Sequence, residues 1–99
     1  MAGPIYNVFM MKYTDAWYRL SAEERAKLAA QVEEARKKVG GELVVACISF
    51  WCSEEWLGWG VEKYPDIDAV QNHAQVLWNF GWYNYVESKS YLGVEMPPM

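Results

Sequence analysis

The single histidine of this sequence, His73, is the side chain best suited to acid–base chemistry at neutral pH. A neutral imidazole can act as a general acid or base, or ligate a haem iron. On a predicted helix His73 lies beside the apolar stripe of Val70 and Leu77, on the side of Phe80. From there it can reach the edge of a pocket, or its ring nitrogens can be satisfied at the helix border. The second situation is the more common one for a lone histidine, so the sequence identifies a candidate ligand-binding residue and no catalytic one.

Four further residues are candidates for contact with a small ligand. Asn7 places one amide in an otherwise apolar predicted strand, where it can hydrogen-bond a ligand or lie exposed at an edge. Trp59, Trp82 and Tyr83 can line a cavity, although aromatic residues at this density are also typical of a core and of a dimer interface. The predicted ligand-binding set is therefore Asn7, Trp59, His73, Trp82 and Tyr83.

The two cysteines, Cys47 and Cys52, do not predict a metal site. Their odd separation within one predicted strand points them to opposite faces, so both are expected to be reduced thiols. A C-x4-C spacing with a single histidine supplies too few ligands for zinc. No phosphate-binding loop, nucleophile motif or diagnostic carboxylate pair is present either. We therefore expect neither a metal nor a cofactor, and enzymatic activity stays open.

Composition excludes some partners. Over 99 residues the formal net charge is -4, which disfavours nucleic acid and anionic membrane surfaces. Residues 57–61, Leu-Gly-Trp-Gly-Val, share two glycines and one aromatic residue with the RNA-recognition signature but lack its basic position. No apolar run is long enough to span a bilayer, and no basic region precedes an apolar N-terminal stretch, so we expect a soluble cytoplasmic protein without membrane contact. Six Trp, seven Tyr and three Phe exceed what so small a monomer buries easily, so some should face a partner or a ligand.

The elements that position these residues follow from local signals. Ser21 and Glu24 form a capping box that starts a first helix, and Gly40-Gly41 ends it, with residues 36–38 placing positive charge at its C-terminus. Asp66 or Asp68 caps a second helix that weakens at Gly81 and continues as a short helical turn over residues 82–85. Strands are predicted over residues 5–13, 43–51, 56–64 and 87–94.

This order is βαββαβ, an α+β ferredoxin-like domain over residues 1–99 with a four-stranded antiparallel sheet and two helices on one face. Residues 43–51 are apolar on both sides except for Ser49, which predicts a central strand. Residues 5–13 are also largely apolar on both sides, so the sheet face away from the helices should be covered. A twofold-related copy is the simplest cover, which predicts a homodimer.

Three segments carry a resemblance to a known family: residues 14–25 (TDAWYRLSAEER), 62–66 (EKYPD) and 81–85 (GWYNY). Through them the chain resembles the dimeric α/β-barrel superfamily, which includes antibiotic-biosynthesis monooxygenases, muconolactone isomerases and, most similar, the uncharacterised darcynin-like domains. The resemblance implies two sheets packed face to face and a small ligand held between sheet and helices. Haem-degrading relatives place a Trp about ten residues before the haem His; here Lys63 precedes His73 by that distance, so haem binding is not implied.

The sequence thus predicts a homodimer whose subunits bind a small, mostly apolar molecule, aromatic or fatty-acid-like, without a cofactor. One alternative is a cofactor-independent monooxygenase or isomerase, with His73 as the base of the isomerase. Another is a structural dimer that binds no ligand.

Overall fold

The computed structural model describes residues 3–52 and 54–98 of the chain. The described elements are β1 (Ile5–Tyr13), α1 (Asp15–Tyr18), α2 (Ala22–Lys38), β2 (Glu42–Ile48), β3 (Gly58–Tyr64), α3 (Ile67–Asn79), a 3-10 turn (Trp82–Asn84) and β4 (Val86–Gly93). Apart from the short α1, this is the predicted βαββαβ order. The four strands form one antiparallel sheet, which confirms the predicted α+β, ferredoxin-like fold.

The sheet has the strand order β2-β3-β1-β4, so β2 lies at an edge. The prediction that this segment is a central strand was wrong, because apolar residues on both faces of a strand show that both faces need cover and do not show how many strands flank it. The strand also ends earlier than predicted, at Ile48, where the chain turns: the Cys52 amide donates to the Ser49 carbonyl at 3.0 Å. Phe50 and Trp51 consequently lie exposed beyond the strand.

The helix starts follow the predicted caps. At α2 the Ser21 hydroxyl accepts from the Glu24 amide at 3.1 Å, and the Glu24 carboxylate accepts from the Ser21 amide at 3.0 Å. Asp66 caps α3 by accepting from the Ala69 amide at 2.8 Å, which decides between the two predicted caps. Helix α3 ends before Gly81, whose φ of 83° is a left-handed conformation that glycine adopts without strain. Helix α1 was not predicted, since four residues are too few to show helical periodicity.

Strand alternation divides the sheet into two faces. The helix-facing side of β3 carries Gly58, Gly60, Glu62 and Tyr64, all buried. Gly60 leaves room for an aromatic ring from the neighbouring strand: a Cβ added there would lie 2.6 Å from the Phe9 Cζ atom. On the opposite face, one row of cross-strand neighbours runs through all four strands and comprises Val45, Val61, Val8 and Tyr91. We call these four residues the outer apolar row.

The helices cover the sheet only in part. The radius of gyration is 14.3 Å, whereas a compact domain of this length has about 13 Å. Few large side chains are fully buried, and an open cleft separates the sheet from α2 and α3. None of the described helices combines the length and the apolar character needed to cross a membrane.

Candidate functional site

The cleft between sheet and helices has a volume of about 710 Å³. Small-molecule sites typically have roughly 300–1,000 Å³, so this space is large enough for a ligand. The apolar part of its lining comes from all four strands, from α2 and α3, and from the segments that flank the strands; it includes Phe9, Met11, Val32, Ile48, Leu57, Val70, Leu77 and Val86. The walls are therefore mostly hydrocarbon and aromatic, and adaptable Met11 is among them.

Aromatic rings build one wall of the cleft. Tyr13 stacks on Trp17 with ring centroids 4.2 Å apart, and Trp17 meets the edge of Trp82 at 5.9 Å. Trp17 is buried in this stack, whereas Tyr13 and Trp82 line the cleft. Tyr83 lines it as well, and burial raises the pKa of its phenol. The short helix α1 thus has a positioning role, because it carries the ring that holds this wall together.

A buried ion pair crosses from α2 to the sheet inside the same cleft. Arg36 Nε donates to Glu62 Oε2 at 2.8 Å, and both side chains are 7% exposed. The guanidinium also donates to Glu33 on the exposed side of α2. Although burial opposes the charge, these hydrogen bonds raise the pKa of Arg36, so the guanidinium stays protonated. Glu62 receives a second hydrogen bond from Asn7 Nδ2, at 2.9 Å to Oε1.

A second polar contact joins α3 to β3. The hydroxyl of Tyr64 lies 2.9 Å from His73 Nδ1, and both residues are buried. Burial lowers the pKa of His73 and raises that of Tyr64, so the imidazole is neutral and the phenol protonated near neutral pH. The phenol also interacts with the side chains of Glu62 and Arg36, so the direction of the Tyr64–His73 hydrogen bond depends on the tautomer of the imidazole.

Two polar atoms at the cleft have no hydrogen-bond partner among the described residues: Asn7 Oδ1 and His73 Nε2. Both atoms are buried, and both residues line the cleft. Burial is the larger influence on the pKa of His73, and the nearby Val32 carbonyl acts in the opposite direction by favouring the protonated ring. Unpaired buried polar atoms are uncommon in native proteins, so both require an explanation.

The five sequence-predicted site residues do not all have the same relation to the cleft. Asn7, His73, Trp82 and Tyr83 lie along its lining. Trp59 also borders it, but strand alternation puts its side chain on the outer face, opposite Met10 and Cys47, where it is 39% exposed. Whether any of the five binds a ligand stays a prediction. Cys47 and Cys52 are both free, as expected.

The sequence analysis missed Arg36, Glu62 and Tyr64. Arg36 was expected to complement the helix dipole, yet it is buried and pairs with Glu62. A signal was present, because Arg36 follows Val32 by four residues on the apolar stripe of α2, where a charge needs a partner. Glu62 occupies the helix-facing side of β3, but recognising it required knowing which strand face is covered.

We expect the protein to become less stable as the pH is lowered through the titration range of His73. Because burial holds the pKa of the folded state below 6.5, the unfolded chain binds a proton first. The contribution of His73 is therefore fully present above pH 6.5 and is lost as pH falls towards the folded-state pKa. The free energy of unfolding, measured with urea at about pH 7, 6 and 5, should decrease more steeply with falling pH for the native protein than for His73→Gln. Parallel profiles would show that the buried ring has no linkage to folding.

Comparison with known proteins identifies the fold and nothing finer. No protein-family model matches the chain, and no curated protein matches it. Among solved structures, chlorite dismutase from Candidatus Nitrospira defluvii in complex with imidazole superposes with a TM-score of 0.77 at 13% sequence identity, covering 99% of this chain. A double variant of that enzyme gives 0.76 at 15% identity and covers the whole chain.

The chain spans less than half the length of these chlorite dismutase chains, 42% and 43% respectively. A protein of unknown function from Rhodopseudomonas palustris is closer in size: it superposes with a TM-score of 0.71 at 16% identity, covering 99% of this chain and 86% of the other. At such low identities the likeness concerns the backbone alone. The chain thus shares the ferredoxin-like fold of these structures.

Proposed function

We propose that this protein is a homodimer whose subunits each bind a small, largely apolar molecule in the cleft between sheet and helices, without a built-in cofactor. The observation that carries the proposal is the cleft itself: about 710 Å³ with mostly apolar walls and a few buried polar groups at one place. Pockets of this kind are the usual form of a small-molecule site. The sequence resemblance to the darcynin-like branch of the dimeric α/β-barrel proteins supports the same location.

The proposed ligand is an aromatic or fatty-acid-like molecule. Burying about 10 to 15 methylene groups at ~0.8 kcal/mol each outweighs the few kcal/mol of lost freedom and polar desolvation. Aromatic surfaces such as those of Tyr13 and Trp82 suit both fused rings and alkyl chains. The net charge of -4 disfavours a polyanion such as a nucleotide.

The proposed dimer covers the outer face of the sheet. The outer apolar row lies there, and Val8, Val45 and Tyr91 each expose 40% or more of their surface in the single chain. A second copy packed face to face removes this apolar area from water on both subunits. We place the dimer in the cytoplasm, a compartment in which the two free thiols stay reduced.

A small cofactor-independent oxygenase or isomerase is the second candidate, favoured by the neutral histidine at an apolar cleft. An isomerase base needs a free lone pair directed at the substrate. In His73, Nδ1 contacts the Tyr64 hydroxyl and Nε2 has no partner among the described residues, so Nε2 is the nitrogen that would act on a substrate.

A thermal-shift screen tests ligand binding. Compounds with a fused-ring or long alkyl body should raise the melting temperature, and the rise should continue with the logarithm of their concentration above Kd, because a ligand that binds only the folded state stabilises it by RT ln(1 + [L]/Kd). At about 100 times Kd this amounts to ~2.7 kcal/mol, which is roughly 10 to 20 °C for a domain of this size. ATP and other nucleotides serve as the control and should leave the melting temperature unchanged. A screen in which only phosphates stabilise the protein, or no apolar compound does, rejects the proposal.

A further inference from the structure

Asn7 Oδ1 and His73 Nε2 are the two unpartnered atoms of the cleft among the described residues, and the neighbour of Asn7 determines how its amide is oriented. An amide can rotate to exchange its oxygen and nitrogen, but Asn7 donates through Nδ2 to the Glu62 carboxylate at 2.9 Å. A carboxylate accepts and cannot donate, so the amide oxygen must point away from Glu62. Oδ1 is thus a buried acceptor without a donor.

His73 Nε2 is the second unpartnered atom. Its side chain is among the most buried polar groups of the described chain, with the residue only 5% exposed. Nδ1 of the same ring contacts the Tyr64 hydroxyl at 2.9 Å, and Nε2 has no hydrogen-bond partner among the described residues. The cleft thus offers an acceptor at Asn7 Oδ1 and a second unpartnered polar atom at His73 Nε2, and each costs free energy while it stays unpaired.

The charges at this place disfavour an anion. Among the described residues that line the cleft, Arg36 is the only lysine or arginine. Its guanidinium is already bound by both Glu33 and Glu62, so it has little positive potential left for a ligand. A ligand carboxylate would lie near the negative Glu62 and opposite Asn7 Oδ1, which repels a second acceptor.

We propose that the ligand is a neutral molecule whose polar end carries a hydroxyl group, which donates to Asn7 Oδ1, while the unpartnered His73 Nε2 supplies a second polar contact. This rests on the proposed function, since it assigns the polar contacts of the same cleft. It selects neutral alcohols, phenols and hydroxyketones from the apolar ligands considered above and sets fatty acids aside. The two side chains together recognise a hydroxyl group at the polar end of an apolar cleft.

Isothermal titration with naphthalene derivatives tests the assignment, because the apolar body stays constant while the polar group changes. Near pH 7, 2-naphthol is a neutral donor and acceptor, 2-methoxynaphthalene has lost the donor, and 2-naphthoate is an anion. We expect 2-naphthol to bind about ten-fold more tightly than the ether, the size expected when one buried acceptor is left unpaired. 2-Naphthoate should bind more weakly than either.

Two variants test whether Asn7 causes the preference for 2-naphthol over the ether. Asn7→Leu should abolish the preference for 2-naphthol over the ether, whereas Met11→Leu, which changes only the apolar wall, should keep it. If Asn7→Leu does not fold, the three probes on the native protein still decide. Equal affinities for 2-naphthol and the ether, or tightest binding of 2-naphthoate, overturn this inference and leave an apolar-ligand site standing. Absence of binding for all three compounds overturns both the inference and the proposed function.

Discussion

Replacing Arg36 with methionine should lower the free energy of unfolding by about 3–5 kcal/mol, the usual cost of removing one partner from a buried ion pair. Methionine keeps most of the aliphatic volume, so the loss reports on charge. The Glu62 carboxylate, whose side chain is 7% exposed, would then keep the hydrogen bond from Asn7 Nδ2 but lose its cationic partner. Urea unfolding followed by circular dichroism measures the change.

Two matched variants separate the buried partner from the exposed one. Glu33→Gln weakens a contact of the same guanidinium, but the Glu33 side chain is 52% exposed, so we expect a cost below about 1 kcal/mol. Arg36→Met combined with Glu62→Gln removes both buried charges and keeps an amide oxygen for Asn7, so it should recover much of the stability that Arg36→Met loses. If Arg36→Met costs no more than Glu33→Gln, water in the cleft already solvates Glu62.

The parts of the fold that the sequence predicted are those with local signals. The cap of α2 needs only Ser21 and Glu24, three residues apart, and the structure shows both hydrogen bonds. The bounds of β1 were also predicted correctly, because Thr14 and Asp15 interrupt an apolar run. Each of these signals lies within a few neighbouring residues, and no tertiary contact is needed to interpret it.

The position of β2 in the sheet has no such local signal. Its residues are apolar on both faces. A central strand and an edge strand have the same composition when both of their faces are buried. In the single chain most of its residues are exposed, Val44 and Ile48 among them. The position of a strand in a sheet depends on pairing with residues distant along the chain, which is why the apolar pattern alone predicted a central strand where the structure has an edge strand.

The candidate site shows the same division. Asn7 and His73 were recognisable as polar residues within or beside apolar patterns, and the structure places both at the cleft. Their partners Glu62 and Tyr64 lie 55 and 9 residues away along the chain, on one face of β3. Which face of that strand is covered depends on the packing of α2 and α3, so the pairing could not be derived from spacing.

Substituting Val8 with glutamate should convert the proposed dimer into a monomer. Val8 lies within the outer apolar row, paired with Val61 on one side and with Tyr91 on the other, and is 40% exposed in the single chain. In a twofold dimer each substitution occurs twice, so two carboxylates would enter an apolar interface together. Burying an unpaired charge costs several kcal/mol, and ~2.7 kcal/mol already weakens association 100-fold.

The matched control is Val76→Glu on α3, since Val76 is 42% exposed and belongs to no sheet face. The same change in charge and size there should leave association unaltered. Sedimentation equilibrium at micromolar concentration should give two chains for the native protein and for Val76→Glu, and one for Val8→Glu, with circular dichroism showing that all three are folded. A native protein that sediments as a monomer contradicts the dimer. If Val8→Glu stays dimeric, the copies meet elsewhere than on the outer apolar row, and the exposed edge strand β2 becomes the next surface to substitute, beginning with Val44, which is 52% exposed.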